Sequence, residues 1–371
     1  MQELFCFRND FQLHSARSIF MITYPDLQSR LLDKPGIWLV TGVAGFIGSH
    51  LLEALLQMDQ HVIGLDNLST GRRDNLDSVH ALVTEQQWSR FQFRHGDISS
   101  LDDCRHAMMF SIDSGETLLA DYVLHQAALC SVARSIEEPT LTNDYNINGF
   151  LNILVAARDA GVKRLVYASS SAVYGDTPGL PKEENGKLRP LSPYAITKYV
   201  DELYADVFAK LFHVKSVGLR YFNIFGVRQD PQGAYAAVIP KWIDSMISAN
   251  PVTIFGDGET SRDFCHVSNV VQANLLAACA PDSAYEGTYN VGTGRSTTLN
   301  QLYGYIRNSI INEFPYIPAE PHYTDFRTGD IRHSLANIAK AREQLGYMPD
   351  DGLSSQLSET VHWYLSCREH L

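Results

Sequence analysis

Tyr194 and Lys198 stand four residues apart in the stretch SPYAITK. At helical spacing, positions i and i+4 share a face. Ser192 and Pro193 suit the start of that helix, serine as the cap and proline in the first turn. A lysine ammonium beside a phenol favours the phenolate and lowers the tyrosine pKa. Tyr194 would then act as a general base near neutral pH. About 24 residues upstream, Ser169, Ser170 and Ser171 close an apolar run, Leu165 to Ala168, that reads as a buried strand. This serine cluster could donate to the hydroxyl that Tyr194 deprotonates. A tyrosine and lysine at this spacing are common on helix surfaces, so the pair gains meaning only from its surroundings.

Those surroundings begin at Gly36 to Asp66, GIWLVTGVAGFIGSHLLEALLQMDQHVIGLD. Ile37 to Val40 is an apolar run suited to a buried parallel strand. A turn with Gly42, Gly45 and Gly48 follows. Apolar residues then recur at helical spacing through Phe46, Ile47, Leu51, Leu52, Leu55 and Leu56. A second apolar run ends on Asp66. Strand, glycine turn, helix, strand and acid form the layout of a dinucleotide site. The helix N-terminus offers free N–H groups to phosphates, and Asp66 would accept hydrogen bonds from an adenosine ribose. Arg72 and Arg73 could meet a 2′-phosphate, but Asp66 would repel it, so NAD is expected rather than NADP. Lys198 would then also hydrogen-bond the nicotinamide ribose, and the oxidised nicotinamide nearby would join Lys198 in favouring the Tyr194 phenolate.

Further along, strands and helices alternate. Phe91 to Phe93 and Tyr122 to Ala128 read as strands, Leu101 to Met109 and Thr142 to Ala160 as helices. This rhythm predicts an α/β fold with a doubly wound parallel (Rossmann) sheet. From Pro231 the pattern breaks into a smaller mixed α/β unit. The expected organisation is an N-terminal extension over 1–35, a nucleotide domain over 36–222 with returns near 266–291, and a mostly substrate-binding domain over 223–371. Residues 1–20 read as a weakly ordered extension, or Met21 as the natural start. The last helices are expected at Leu299 to Asn312, Ala336 to Leu345 and Leu353 to Cys367.

Composition narrows the function. Of 371 residues, 45% are hydrophobic, enough for a large core. The formal net charge is −12 with no dense basic run, which disfavours a nucleic-acid or anionic-membrane partner. Six cysteines are scattered without CxxC or metal spacing, as expected of reduced thiols in a cytoplasmic protein, and no metal is expected. No apolar stretch of about 18 residues predicts a membrane span, and no signal-peptide core is seen.

The spacing GxxGxxG resembles the extended short-chain dehydrogenase/reductase superfamily. TGVAGFIGSH, LDNLSTG, HQAA, SSSAVYGD, PLSPYAITK, RYFNIFG, DGETSRDF and FRTGDIRHS together resemble the UDP-hexose 4-epimerases. They are most similar to the bacterial branch acting on UDP-N-acetylglucosamine and UDP-N-acetylgalactosamine. The resemblance implies that Gly42, Gly45, Phe46, Ile47, Gly48, Asp66, Asn67, Ser69, Thr70, Gly71, Asp97, Ile98, Gln126, Ala127, Ala128, Asn146, Tyr194, Lys198 and Phe222 bind NAD. It implies that Ser170, Ser171 and Tyr194 surround the sugar C4 hydroxyl. Asn223 would contact the substrate pyrophosphate, Arg262 and Arg327 would neutralise phosphates, and Asp330 would hold the nucleoside. Ser334 would stand beside the sugar C2 substituent, small enough to admit an N-acetyl group, with Ser131 and His333 as donors to it. Cys130 and Ala133, in HQAALCSVARS, depart from the glycine and proline of the related N-acetyl-preferring enzymes.

The implied reaction is reversible inversion at C4 of a UDP-linked hexose by transient oxidation. A 4,6-dehydratase or decarboxylase is disfavoured, because Ser171 and Ala172 stand where those enzymes carry acids. The resemblance also extends to UDP-uronic acid epimerases. A non-catalytic NAD-binding regulator is disfavoured by the intact Tyr194 and Lys198. A homodimer is expected, with Leu151, Leu154, Tyr199, Leu203 and Val207 as candidates for a shared four-helix contact.

Overall fold

A computed structural model describes residues 22–112, 114–231, 237–282, 287–313, 319–326 and 331–369. The first strand, β1 (Ile37–Thr41), is buried along its whole length. A run without polar alternation suits a strand covered on both faces. It is joined by β2 (His61–Asp66), β3 (Phe91–His95), β4 (Tyr122–His125), β5 (Arg164–Ser170), β6 (Ser216–Tyr221) and β7 (Gly287–Val291). The seven strands form one sheet in the order β7-β6-β5-β4-β1-β2-β3, and every pairing is parallel. The order reverses between β1 and β4. In such sheets the crevice beyond the carboxyl ends of these two strands is where ligands bind.

Alternate side chains along the strands feed two cores. Trp38, Val40, Val62, Leu124, Val166 and Val217 point to one face, against helices α2 (Phe46–Gln57) and α5 (Val267–Cys279). Leu39, Ile63, Val123, Leu165 and Tyr167 point to the other, against α3 (Gly149–Ala160) and α4 (Pro193–Phe212). Helix α1 (Tyr24–Asp33), which precedes the sheet, starts at Thr23, whose hydroxyl accepts the Asp26 N–H. It buries Leu27 and Leu31 in the first core. Buried Gln60 ties it down, donating to the Leu31 carbonyl at 2.8 Å and accepting from Gly36 N–H at 2.9 Å. The segment 22–35 is thus part of the nucleotide fold, a role its sequence did not reveal. Residues 1–20 lie outside the described residues.

The helix expected over 142–160 is interrupted. Asp144–Asn148 forms a π-helical turn before α3 begins at Gly149. Helix α3 ends as expected on Gly161 in the left-handed conformation. The helix expected over 101–109 stops at His106, and Met109–Ser111 instead pairs antiparallel with Thr117–Leu119.

The C-terminal part builds a third core from Ile239, Trp242, Ile243, Met246, Leu302, Ile306, Leu357 and Val361. It is joined to the sheet through short strands. Asn223–Phe225, just past β6, pairs in parallel with Phe264–His266. Asp263 anchors this junction. Its buried carboxylate accepts the N–H groups of Thr293, Gly294 and Ala336 and the Thr293 hydroxyl. Three separate chain segments therefore meet on one side chain.

Candidate active site

The turn after β1 is shaped by close backbone approach. Gly42 has φ of +68°, and a Cβ there would lie 2.9 Å from the Ala127 nitrogen. A Cβ on Gly48 would stand 2.0 Å from the Gly42 carbonyl oxygen. Only glycine fits either place. Helix α2 then begins at Phe46 with Gly45 as its cap and no side-chain cap bond. Its first-turn N–H groups face the crevice without a side chain of their own to satisfy them, which suits an anion. The residues present therefore fit a dinucleotide pyrophosphate.

Asp66 ends β2 buried beside this turn. Its Oδ2 accepts Ala44 N–H at 2.9 Å and its Oδ1 accepts Leu68 N–H at 2.8 Å. Burial raises its pKa, and these two bonds oppose the rise. Gly71 packs on it, with a Cβ there 2.9 Å from both carboxylate oxygens. Asn67 donates to Asp97 at 2.7 Å and accepts Ser69 N–H at 3.0 Å. Burial pushes Asp97 up, but bonds from Ser99, Asn67 and Tyr145 outweigh it and hold the carboxyl low. Asp66, Asn67, Ser69, Gly71 and Asp97 thus form one linked edge. Arg72 is exposed and pairs with Asp74 at 2.8 Å.

On the other side of the crevice, Ala127 N–H donates to Thr41 Oγ1 at 3.2 Å, joining the end of β4 to β1. Gln126 donates to Asn274 and accepts from the Tyr221 hydroxyl, both at 3.1 Å. Asn146, on the π turn, is 1% exposed. Its amide accepts Leu129 N–H and donates to the Leu129 carbonyl and to Thr197 Oγ1. This side chain clamps the loop carrying Cys130 to helix α4. Phe222 is buried, its N–H on the Val291 carbonyl. Ser131 caps the helix Val132–Glu137, accepting Arg134 N–H.

Helix α4 carries the candidate catalytic pair. Ser192 caps it, accepting Ala195 N–H, and Pro193 occupies its first turn. Tyr194 and Lys198 are both buried on the face toward the end of β5. Ser170, the last residue of β5, stands beside the Tyr194 phenol and favours its ionisation, against the stronger effect of burial. Its hydroxyl oxygen also accepts Ala172 N–H at 3.1 Å. Ser171 follows in a short 3₁₀ turn. Ser169 points elsewhere, donating to Glu202 at 2.6 Å. Within the chain, the Lys198 ammonium is held by Asp201 at 3.2 Å, and both side chains are buried. Burial pushes the Tyr194 phenol up, and nearby Cys130 and Asp201 push it further. Lysine does not by itself make this tyrosine acidic.

Several residues expected on the substrate side lie at the junction after β6. Asn223 lies opposite Phe264 in the short parallel pair, two residues from Arg262. The Arg262 guanidinium donates to the carbonyls of Ser261 and Arg332. Ser261 Oγ meets His333 Nδ1 at 2.9 Å, and its carbonyl accepts Ser334 N–H at 3.1 Å. Arg262, His333 and Ser334 are therefore one patch. A cavity of about 410 Å³ is lined by His333, Gly175 and Leu191, the last two lying in the segment between Ser171 and Tyr194. Arg327 and Asp330 lie outside the described residues. Sequence reasoning missed Asp201, Asp263 and the buried Glu202–Arg220 pair at 2.7 Å. For Asp201 and Glu202 a signal existed, since both follow Lys198 by one helical turn.

Known proteins agree with this geometry. Residues 38–292 match the model of the NAD dependent epimerase/dehydratase family. A putative UDP-glucose 4-epimerase of Methanocaldococcus jannaschii is 36% identical over 326 residues, covering 88% of this chain and 97% of the relative. The structure of a UDP-N-acetylglucosamine 4-epimerase from Methanobrevibacter ruminantium, in complex with UDP-N-acetylmuramic acid, superposes with a TM-score of 0.80. It is 37% identical and covers 90% of this chain and 99% of its own. The UDP-glucose 4-epimerase of Thermotoga maritima, with UDP-glucose, gives 0.79 at 35% identity over 90% and 99%. The chain is thus an NAD-dependent enzyme of the NAD dependent epimerase/dehydratase family, among relatives of the UDP-sugar 4-epimerases.

Proposed function

We propose that this enzyme inverts C4 of UDP-hexoses reversibly, and that UDP-N-acetylglucosamine and UDP-N-acetylgalactosamine are substrates alongside UDP-glucose and UDP-galactose. The observation that supports the reading is the burial of Tyr194 and Lys198 on one face of helix α4, with Ser170 at the carboxyl end of β5 beside the phenol. NAD, when bound, supplies the hydride acceptor and donor for the sugar C4. Tyr194 removes the proton from the C4 hydroxyl and later returns it. Ser170 orients that hydroxyl and shares its proton with the phenol. Ser171 stands beside it. Lys198 holds the nicotinamide ribose and supplies positive charge near the phenol. The ribose of the adenosine half goes to Asp66, and the adenine edge to Asp97 and Ile98.

On the substrate side, Asn223 and Arg262 meet the pyrophosphate, with Arg327 and Asp330 as further contacts. Ser334 leaves room for an N-acetyl group, and His333 and Ser131 donate to it. The enzyme works as a homodimer through helix α4. Support for that contact is a stripe of exposed apolar side chains, Ile196, Leu203, Val207 and Leu211, along a helix otherwise packed on its own sheet. Leu154 drops out of it, because it is fully buried in its own core.

The test is direct. Protein incubated with UDP-N-acetylglucosamine, without added NAD, should form UDP-N-acetylgalactosamine. Formation of a 4-keto-6-deoxy sugar or release of carbon dioxide from a uronic acid instead would assign a different reaction.

A further inference from the structure

Asp201 is wholly buried, one turn beyond Lys198 on α4. Its Oδ2 holds the Lys198 ammonium at 3.2 Å. Its Oδ1 is buried and has no hydrogen-bond partner among the described residues. A carboxylate with half its acceptor capacity unmet is costly to keep ionised in a dry site. Hydrogen-bonded carboxylates elsewhere in the chain are better served: Asp66 accepts two backbone N–H groups and Asp263 four donors.

The groups around Asp201 are few. Lys198 and Glu202 come from its own helix. Glu202 is neutralised by Arg220 of β6, through two bonds at 2.7 and 2.8 Å. Tyr167 of β5 and Tyr194 both feel the Asp201 charge. His125 of β4 and Cys130, beyond it, face Lys198. His125 is held neutral by burial. Among the described residues, Lys198 is therefore the cation of this pocket that Glu202 does not already match, and Asp201 is its counter-ion.

We propose that Asp201 is a positioning residue for the C4 reaction: ionised, it holds Lys198 and cancels the charge that Tyr194 feels; protonated, it leaves that charge free to make the phenol more acidic. The site then keeps a nearly constant net charge, since loss of the Tyr194 proton is matched by gain of one on Asp201. Burial pushes the Asp201 carboxyl up to about 7, against the pull of Lys198, so both forms exist near neutral pH. This extends the epimerase reading, on which it rests, by giving its base a partner that the family resemblance did not assign.

The test is a titration that needs no substrate. In NAD-loaded protein, the Tyr194 phenol is followed by ultraviolet difference absorbance against Tyr194→Phe. Asp201→Asn keeps an acceptor for Lys198 but removes the negative charge. Its Tyr194 midpoint should fall by about one pH unit or more, roughly a tenfold gain in acidity, while Asp201→Glu should stay near the wild type. An unchanged midpoint in Asp201→Asn overturns the proposal. Should that variant not fold, the wild type still decides. The Asp201 carboxyl carbon, followed by NMR in protein labelled at aspartate, must titrate near pH 7; a midpoint below about 5, within the ordinary range of aspartate, overturns it equally. Absence of epimerase turnover in the wild type would reject the parent reading and leave this titration intact.

Discussion

Asp66 closes the glycine turn from within: its Oδ2 accepts the Ala44 amide at 2.9 Å while its Oδ1 accepts that of Leu68. One carboxylate thus fixes the shape of the glycine turn, and in the proposed function it also takes the adenosine ribose. Asp66→Ala should remove both charge-assisted bonds and destabilise the fold by about 2–4 kcal/mol. It should also shed NAD during gel filtration. A variant with wild-type cofactor content would remove Asp66 from the ribose role.

Tyr194→Phe should keep the fold and the bound cofactor, because the ring is buried and only the hydroxyl is lost. Turnover should fall by roughly 10²–10⁴-fold, the usual worth of a positioned acid–base group. Near-wild-type kcat would exclude the tyrosine as the base.

Ser334 is held against Ser261 by its own N–H, so its backbone is fixed while its side chain is small. Ser334→Tyr should suppress turnover of UDP-N-acetylglucosamine more than that of UDP-glucose. Steady-state kinetics on both substrates decide it. Equal losses would mean general damage to the pocket, and no loss would mean that Ser334 does not face the C2 substituent.

Leu203 and Leu211 are 50% and 67% exposed on one long helix. The double variant Leu203→Glu, Leu211→Glu places charge in the proposed dimer contact without touching the core. Light scattering at micromolar concentration should give a dimer mass for the wild type and half of it for the variant. A wild-type monomer rejects the contact.

His125 is 2% exposed, with Nδ1 2.7 Å from Thr41 Oγ1. Burial, and then the Lys198 charge, lower its pKa from 6.5 to about 3. The unfolded chain therefore binds this proton more readily than the folded one. The resulting stability is present above about pH 6.5 and is lost as pH falls toward 3. At pH 5 the loss should be about 2 kcal/mol. Asp201 acts with the opposite sign, since its raised pKa makes stability decline between its ordinary value of 3.8 and about 7. Urea denaturation of the wild type and His125→Gln at pH 7.5 and pH 5 separates the two. The variant should be less sensitive to acid by about 2 kcal/mol, whatever its absolute stability; an equal sensitivity would show that His125 is not held neutral.

The nucleotide half of the protein was legible in the residues. Gly42, Gly45 and Gly48 between an apolar strand and an amphipathic helix leave few backbone solutions. The helix bearing Tyr194 and Lys198 announces itself by Ser192, Pro193 and an i, i+4 pair. These are local signals, set by steric limits and helical period, and they survive in any tertiary setting. What lay beyond them depends on contacts between distant segments. The helix Tyr24–Asp33 looks like an extension until Gln60 and the first core receive it. Leu154 looks as suitable for a dimer contact as Leu203, and only packing decides that one is buried and the other exposed. The meeting of Thr293, Gly294 and Ala336 on Asp263 has no trace in spacing, because its partners lie 30 or more residues away. The sequence also could not say where the Lys198 charge goes. Its type and position were plain, but whether it faces Tyr194 alone or is held by Asp201 follows from rotamers and burial.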